Sequence, residues 1–209
     1  LKNFNFIEKA LILPKINSKS GFSKIINPYF YGELSISRTA RYYPATLIFK
    51  PLIILSAIFL ILYWRSNLNL FKELKDKNVL TSFSKKFFYL GILSCIFLIL
   101  HALFLGLDFD SKLFQKIRKI IIISFIIFEL VAQILLTRNL YMFKNNLKAY
   151  INSTVLKIKI SFVVIIFLLT SVIFVLLAAD QLDASAKHML EWNYFSFLLV
   201  FYFLSRILW

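Results

Sequence analysis

Residues 87–107 read FFYLGILSCIFLILHALFLGL, a run of 21 residues that contains no Lys, Arg, Asp or Glu. An α-helix of this length is about 30 Å long, which matches the hydrocarbon core of a bilayer. Four further apolar stretches lie at about 45–64, 120–136, 160–179 and 189–208. They are too uniformly apolar for the strands of a membrane barrel, which alternate. The sequence therefore predicts an all-α, polytopic transmembrane helix bundle with five spans.

The composition supports this class. Of the 209 residues, 60% are hydrophobic and 17% are charged, whereas a soluble domain has about half and about a quarter. The mean hydropathy is +0.77. The single cysteine, Cys95, excludes an internal disulfide framework. There is no Gly-rich phosphate loop, Gly-x-Ser-x-Gly elbow or His-Glu-x-x-His helix, so no cofactor is expected.

The charge is strongly basic, with 25 Lys and Arg against 10 Asp and Glu. These cations lie between the apolar runs, where they would meet lipid headgroups. The expected partner is therefore the lipid bilayer, including its anionic headgroups, and not nucleic acid. A membrane-protein partner or a second copy of the chain is a further expectation.

Residues 1–44 differ from the five-span region 45–209, because they mix polar and aromatic residues and include no stretch long enough to span. We interpret them as an extramembrane or interfacial arm. The Lys and Arg residues of the arm and the connections are equally divided between the two sides of the membrane. When the long arm is left out, 5 remain on its side and 12 are on the side of the C-terminus. The positive-inside rule then predicts the arm outside and the C-terminus inside. The frequent Lys, Asn, Ile and Phe suggest an AT-rich bacterial genome, so the bacterial cytoplasmic membrane is the expected location.

Polar side chains inside a span are costly, about 2.5–3.5 kcal/mol for a charge at the centre, and therefore suggest function. One helix face in the second span and one in the third carry such residues: Ser94, His101 and Asp108, then Glu129, Gln133 and Thr137. A short connection makes these spans antiparallel neighbours. We therefore expect His101 of one span to meet Glu129 of the other, directly or through water, as an intramembrane polar pair, with Gln133 on the same face as Glu129. The interaction either holds the helix register or serves a ligand, proton or metal.

The fifth span begins with the polar residues His188 and Glu191, and Tyr194 and Tyr202 follow at helical spacing. Together these residues predict a groove: His188, Glu191, Trp192, Tyr194 and Tyr202. With five crossings, most acidic and imidazole groups fall on the same side of the membrane. This clustering toward one leaflet involves His101, Asp108, Asp110, Glu129, Asp180, Asp183, His188 and Glu191.

The C-terminal residues carry a resemblance to a known family. Residues 184–192, ASAKHMLEW, followed by Tyr202-Phe203-Leu204, are similar to the last helix of the DRAM/FRAG/SFK group of membrane proteins. Residues 118–129 are similar to another span of that group, with a basic start and an internal Glu. The resemblance implies six helices, so a first helix is expected to precede Leu1, with 1–44 as the first external loop. It also implies a lipid-associated role, without catalytic residues.

Three functions are compatible with these patterns. The first is a lipid-associated or partner-binding role, more in keeping with a protein that is not an enzyme. The second is a membrane-embedded, metal-dependent lipid hydrolase whose metal ligands would be His101, Asp108, Glu129, His188 and Glu191. The third is a small proton-coupled carrier with Glu129 and His101 as the relay.

Overall fold

The computed structural model describes residues 27–32, 35–36, 40, 45–105, 112–179 and 181–209. All regular secondary structure in these ranges is helical, which confirms the predicted all-α class. The helices are α1 (Pro28–Tyr31), α2 (Ala45–Asp76), α3 (Lys86–Phe104), α4 (Lys112–Met142), α5 (Ser153–Ala178) and α6 (Ala184–Leu208).

Four helices in the described ranges, α2 to α5, are long and apolar enough to cross a membrane, where the sequence predicts five. The predicted fifth span coincides with α6, which has 25 residues and therefore sufficient length. Its Glu191, Asn193 and Arg206, together with its tyrosines, interrupt it, so that it has no 18-residue stretch as apolar as those of the other four. The crossing of the membrane by α6 stays a prediction.

Helices α2, α4, α5 and α6 extend beyond the predicted spans at one end or both, whereas α3 ends at Phe104, before residue 107. Helix α2 continues past residue 64 to Asp76. This extension contains no Gly or Pro, and its Leu68, Phe71 and Leu74 form a stripe at helical spacing that is buried. Apolar packing outside the bilayer thus stabilises three further turns of the helix.

The end of α2 is a Schellman motif. Asn78 adopts a left-handed conformation with φ of 58°. The backbone N–H of Val79 donates to the carbonyl of Leu74 at 2.9 Å, and that of Asn78 donates to the carbonyl of Lys75 at 2.9 Å. Val79 also packs in the same apolar cluster as Leu74. The motif satisfies the last carbonyls of α2 and turns the chain towards α3.

Contacts between side chains give the direction of each helix. Ser94 and Phe104 of α3 contact Glu129 and Phe114 of α4, so these two helices are antiparallel. Helices α5 and α6 are antiparallel by the same argument, because residues 162 and 152 pair with residues 197 and 208. Helices α2, α4 and α6 therefore run in one direction, and α3 and α5 run in the other.

This arrangement brings most of the described cations to one end of the bundle. We call it the basic end: residues 65–86, 137–159 and 206–209, where α2, α4 and α6 end and where α3 and α5 begin. It carries twelve Lys and Arg residues and two acidic residues, Glu73 and Asp76.

The largest packed cluster lies next to the basic end and is centred on Trp64, which is fully buried with Phe71 and Phe87. The indole ring lies against the backbone of α3 at Gly91. A Cβ atom at Gly91 would come within 2.4 Å of the Trp64 ring. Only glycine therefore allows α2 and α3 to approach this closely.

We predict that Gly91→Ala destabilises the protein. Alanine improves helix propensity by about 0.5–1 kcal/mol, but the overlap with Trp64 costs about 1–3 kcal/mol. Thermal unfolding in detergent measures the net loss. In a Trp64→Leu background the same Gly91→Ala change should cost less, because the ring is gone. An equal loss in both backgrounds would contradict this account of the packing.

Candidate functional site

A carboxylate is buried in the middle of the helix bundle. Glu129 of α4 has no exposed surface. Its Oε2 atom accepts a hydrogen bond from Ser94 Oγ of α3 at 2.6 Å, and its Oε1 atom accepts one from Gln133 Nε2 at 3.0 Å. The hydroxyl of Tyr202 on α6 donates to the same Oε1 atom. These four residues, the Glu129 cluster, connect three helices through one side chain.

Two further buried polar atoms lie on α2 and α4. Among the described residues, Trp64 Nε1 and Thr137 Oγ1 are the buried side-chain polar atoms that make no hydrogen bond. Trp64 is one of the side chains that interact electrostatically with Glu129. Thr137 lies two turns further along α4.

A buried lysine forms a second polar cluster nearer the basic end. Lys159 of α5 is 1% exposed, and its Nζ donates to Ser205 Oγ of α6 at 2.6 Å. The same Nζ lies 4.2 Å from the centre of the Phe201 ring, within cation–π range. Ser205 Oγ also accepts from the Tyr63 hydroxyl of α2 at 3.0 Å and donates to the carbonyl of Phe201. We call Tyr63, Lys159, Phe201 and Ser205 the Lys159 cluster.

The two clusters meet at a pair of tyrosines. The rings of Tyr63 and Tyr202 are 4.9 Å apart in an edge-to-face arrangement, a favourable geometry for aromatic pairs. The Tyr63 hydroxyl belongs to the Lys159 cluster, and the Tyr202 hydroxyl belongs to the Glu129 cluster. A buried anion and a buried cation are thus connected through two adjacent aromatic side chains.

A cavity of about 440 Å³ adjoins these tyrosines, between α2 and α6. Its size falls in the range of small-molecule sites. Arg206 and Trp209 line it towards the end of α6, and Leu70 contributes an apolar wall. The residues that line it are Tyr63, Ser66, Asn67, Leu70, Tyr202, Ser205, Arg206 and Trp209. The α2–α6 cavity therefore combines hydroxyl, amide and guanidinium groups with aromatic surface.

The start of α6 holds the short helix α1 in place. Gly32, with φ of 58°, lies so close to α6 that a Cβ would come within 1.8 Å of the Ser185 carbonyl oxygen. His188 Nδ1 is 3.0 Å from the Gly32 carbonyl oxygen. Asn193 Nδ2 donates to the Tyr29 carbonyl at 3.0 Å. These contacts give His188 a structural partner in α1.

Trp192 belongs to the same contact, with its ring centre 5.7 Å from that of Tyr29. Glu191 lies beside it in the early turns of α6 and is half-buried. Asp183 caps the helix, because its Oδ1 accepts a hydrogen bond from the Ala186 N–H at 2.7 Å.

The structure brings Glu129 and Gln133 together but places His101 elsewhere. Phe97 packs on Phe128 at 5.5 Å between ring centres, and Phe104 packs on Phe114 at 5.8 Å. This register puts His101 about two turns from Glu129 along α4. Ser94, one of the three residues predicted to share a face, takes the place expected for His101. The residue that affects His101 electrostatically is Arg118 of α4.

The predicted groove of α6 is divided between two locations. His188, Glu191 and Trp192 lie at its first turns, near α1. Tyr202 lies 14 residues after His188, which is about 21 Å along the helix axis. Tyr194 is between them, and its hydroxyl donates to the Ile126 carbonyl of α4 at 3.2 Å. Since Tyr202 contacts Glu129, the Glu129 carboxylate meets α6 about 21 Å along the helix axis from His188.

The predicted metal ligands are likewise separated. In the part of the chain that the structure describes, no three His, Cys, Asp or Glu side chains form a group that could hold a metal ion. Glu129 is bound by Ser94, Gln133 and Tyr202, and His188 contacts α1. Asp108, Asp110 and Asp180 lie outside the described residues, as does most of the arm 1–44.

Lys159 is the main residue that the sequence analysis missed, because the fourth span was expected to begin only at 160. Asn152 begins the helix earlier, since its Oδ1 accepts hydrogen bonds from the N–H groups of Thr154 and Val155. Helical spacing then places Lys159 in the buried stripe of α5: Leu156, Lys159, Val163, Ile166 and Thr170. An Asn cap followed by this spacing is a signal that identifies Lys159 as buried.

We predict that Tyr202→Phe destabilises the bundle by about 1–2 kcal/mol, because it removes a donor from a buried carboxylate. Tyr194→Phe is the matched control on the same helix, where the lost hydroxyl binds a neutral carbonyl. That control should cost only about 0.5 kcal/mol. The measurement is the free energy of unfolding in detergent. A loss at Tyr194 equal to or larger than that at Tyr202 would show that the carboxylate does not depend on this donor.

Comparison with known proteins places the chain in a family. The model described as the Frag1/DRAM/Sfk1/Cwh43P N-terminal domain matches residues 27–208. The match begins at Asn27, which caps α1, and ends at Leu208, the last residue of α6. The comparisons with curated proteins and with solved structures found no match. The family match confirms the resemblance seen in the C-terminal residues and extends it over all six helices. The chain is a multi-pass membrane protein that belongs to the Frag1/DRAM/Sfk1/Cwh43 N-terminal domain family.

Proposed function

We propose that this chain binds a membrane lipid and holds the polar headgroup in the α2–α6 cavity. The observation that carries the proposal is the cavity itself, about 440 Å³ in volume and located beside the basic end. Its lining joins aromatic surface with a few polar groups, which is typical of sites that orient an amphipathic ligand.

The location of the cavity favours a lipid over a soluble ligand. Trp209 and Arg206 are side chains of the kind that lie at the level of lipid headgroups. Tyr63 and Tyr202 line the cavity about two turns earlier on their helices than Leu70 and Trp209. A ligand that enters from the bilayer would place its headgroup near Arg206 and its apolar part along the adjoining helix surfaces.

Helix α6 is central to the proposal. Its contacts with Ile126 and Glu129 of α4 and with Tyr63 of α2 extend from Tyr194 to Ser205, about half of its length. We infer from these contacts that α6 crosses the membrane beside α2 and α4. The positive-inside rule then puts the basic end in the cytoplasm. In a bacterial cytoplasmic membrane the bound lipid would come from the inner leaflet.

A binding role fits the arrangement better than a proton relay. The relay required His101 to contact Glu129, and the carboxylate instead binds Ser94, Gln133 and Tyr202. A partner helix would need a long groove, whereas the α2–α6 cavity extends over only about two turns of each helix.

The test is binding of a defined phospholipid to delipidated protein, followed by native mass spectrometry. We predict that the wild-type protein retains one lipid per chain and that Ser66→Trp lowers this occupancy at least severalfold, because the indole fills the cavity. Ser56→Trp is the matched control, since Ser56 is an exposed serine of the same helix that, unlike Ser66, does not line the cavity. It should bind lipid as the wild type does.

Loss of lipid in both variants, or in neither, would contradict the assignment of the cavity as the binding site. Thermal unfolding of each variant shows whether the helix bundle is intact. A folded Ser66→Trp protein with full lipid occupancy would overturn the proposal.

A further inference from the structure

The Lys159 ammonium is buried without a carboxylate partner among the described residues. Its contacts are the Ser205 hydroxyl at 2.6 Å and the Phe201 ring at 4.2 Å. Transfer of a charge into a low-dielectric interior is expensive unless an opposite charge or several hydrogen bonds compensate it. The C-terminal end of α6 supplies a partial negative charge, and Ser205 supplies one acceptor. The remaining positive charge acts on the surroundings of Ser205.

The α2–α6 cavity lies on the other side of Ser205. Ser205 accepts hydrogen bonds from both Lys159 and Tyr63, and its side chain lines the cavity. Arg206, the next residue, lines the same cavity near its mouth. The Arg206 cation is thus part of the cavity wall, and the Lys159 cation is separated from the cavity by the Ser205 hydroxyl.

The lining of the cavity contains no acidic residue that would neutralise these cations. Glu129 reaches the cavity only through Tyr202, and its carboxylate already accepts three hydrogen bonds. The cavity also opens beside the basic end, which has ten further cations and two acidic residues. Its electrostatic environment therefore favours an anion.

We infer that the cavity takes the phosphate of an anionic phospholipid, which the Arg206 guanidinium binds in the wall and the positive charge of Lys159, behind Ser205, attracts through space. This inference rests on the proposed function and adds the class of lipid. A net-anionic lipid such as phosphatidylglycerol keeps the negative charge of its phosphate. Phosphatidylethanolamine brings an ammonium group into a site that already contains two cations.

The experiment compares phosphatidylglycerol with phosphatidylethanolamine of identical acyl chains, bound to delipidated protein and measured by native mass spectrometry. The wild-type protein should prefer phosphatidylglycerol about tenfold, the ratio expected from one charge-assisted hydrogen bond. Lys159→Met should abolish this preference by weakening phosphatidylglycerol binding about tenfold, with phosphatidylethanolamine binding nearly unchanged. Lys159→Arg should retain the preference.

Lys157→Met is the matched control, because Lys157 lies two residues earlier on α5 and is exposed. It should keep the wild-type preference. Arg206→Gln tests the second cation and should also reduce the preference for phosphatidylglycerol. Because Arg206 is exposed, this change does not remove a buried charge on which folding depends. A purely structural role of Lys159 would change stability and total lipid binding but not the ratio between the two lipids.

The outcomes separate the two proposals. Equal binding of the two lipids by the wild type, or an unchanged ratio in folded Lys159→Met and Arg206→Gln proteins, would overturn the anionic specificity and leave lipid binding intact. If Ser66→Trp displaces no lipid, the lipid-binding function itself is overturned. Complete displacement of phosphatidylglycerol by inorganic phosphate would show that the ligand is a soluble phosphate compound, and would overturn the lipid assignment.

Discussion

The burial of the Glu129 carboxylate is the constraint on which the arrangement of the helices depends. In a bilayer, helices satisfy their own backbone groups, so apolar side chains alone specify little about which helix faces which. A carboxylate without exposed surface must find donors, and it finds them on α3, α4 and α6. Ser94 fixes the register of α3, and Tyr202 fixes the depth of α6. Other positions on these helices would leave the carboxylate without compensation.

The close contact between α2 and α3 is the apolar counterpart of this constraint. Gly91 lets the Trp64 indole lie against the backbone of α3, near Glu129. The position of α2 then determines where Tyr63 meets Tyr202 and Ser205. The α2–α6 cavity lies at the end of this series of contacts. Its polar lining is therefore a consequence of how the two buried charged residues are held.

The family assignment and the geometry address different questions. The family model covers α1 to α6 and establishes the class of protein. The docking of α1 on α6 through Gly32 and His188 lies within this matched region. The cavity and its two cations are features of this chain's own side chains, and the proposed lipid specificity is argued from them alone.

The sequence by itself determined the helical membrane class, the approximate position of each long helix and most of the polar residues within the bundle. Length and hydropathy are local properties of the sequence. The polar side chains of Glu129, Gln133 and Tyr202 stand out in apolar helices whichever neighbours those helices have. Only the tertiary structure decided that Ser94 and not His101 meets Glu129, because one or two turns of sliding between antiparallel helices leave each helix's own pattern unchanged. It also decided that Lys159 is buried, and that Tyr63, Ser205 and Arg206 line one cavity. Such a cavity depends on contacts between helices that are more than 100 residues apart in the chain, and the spacing of residues within one helix carries no information about them.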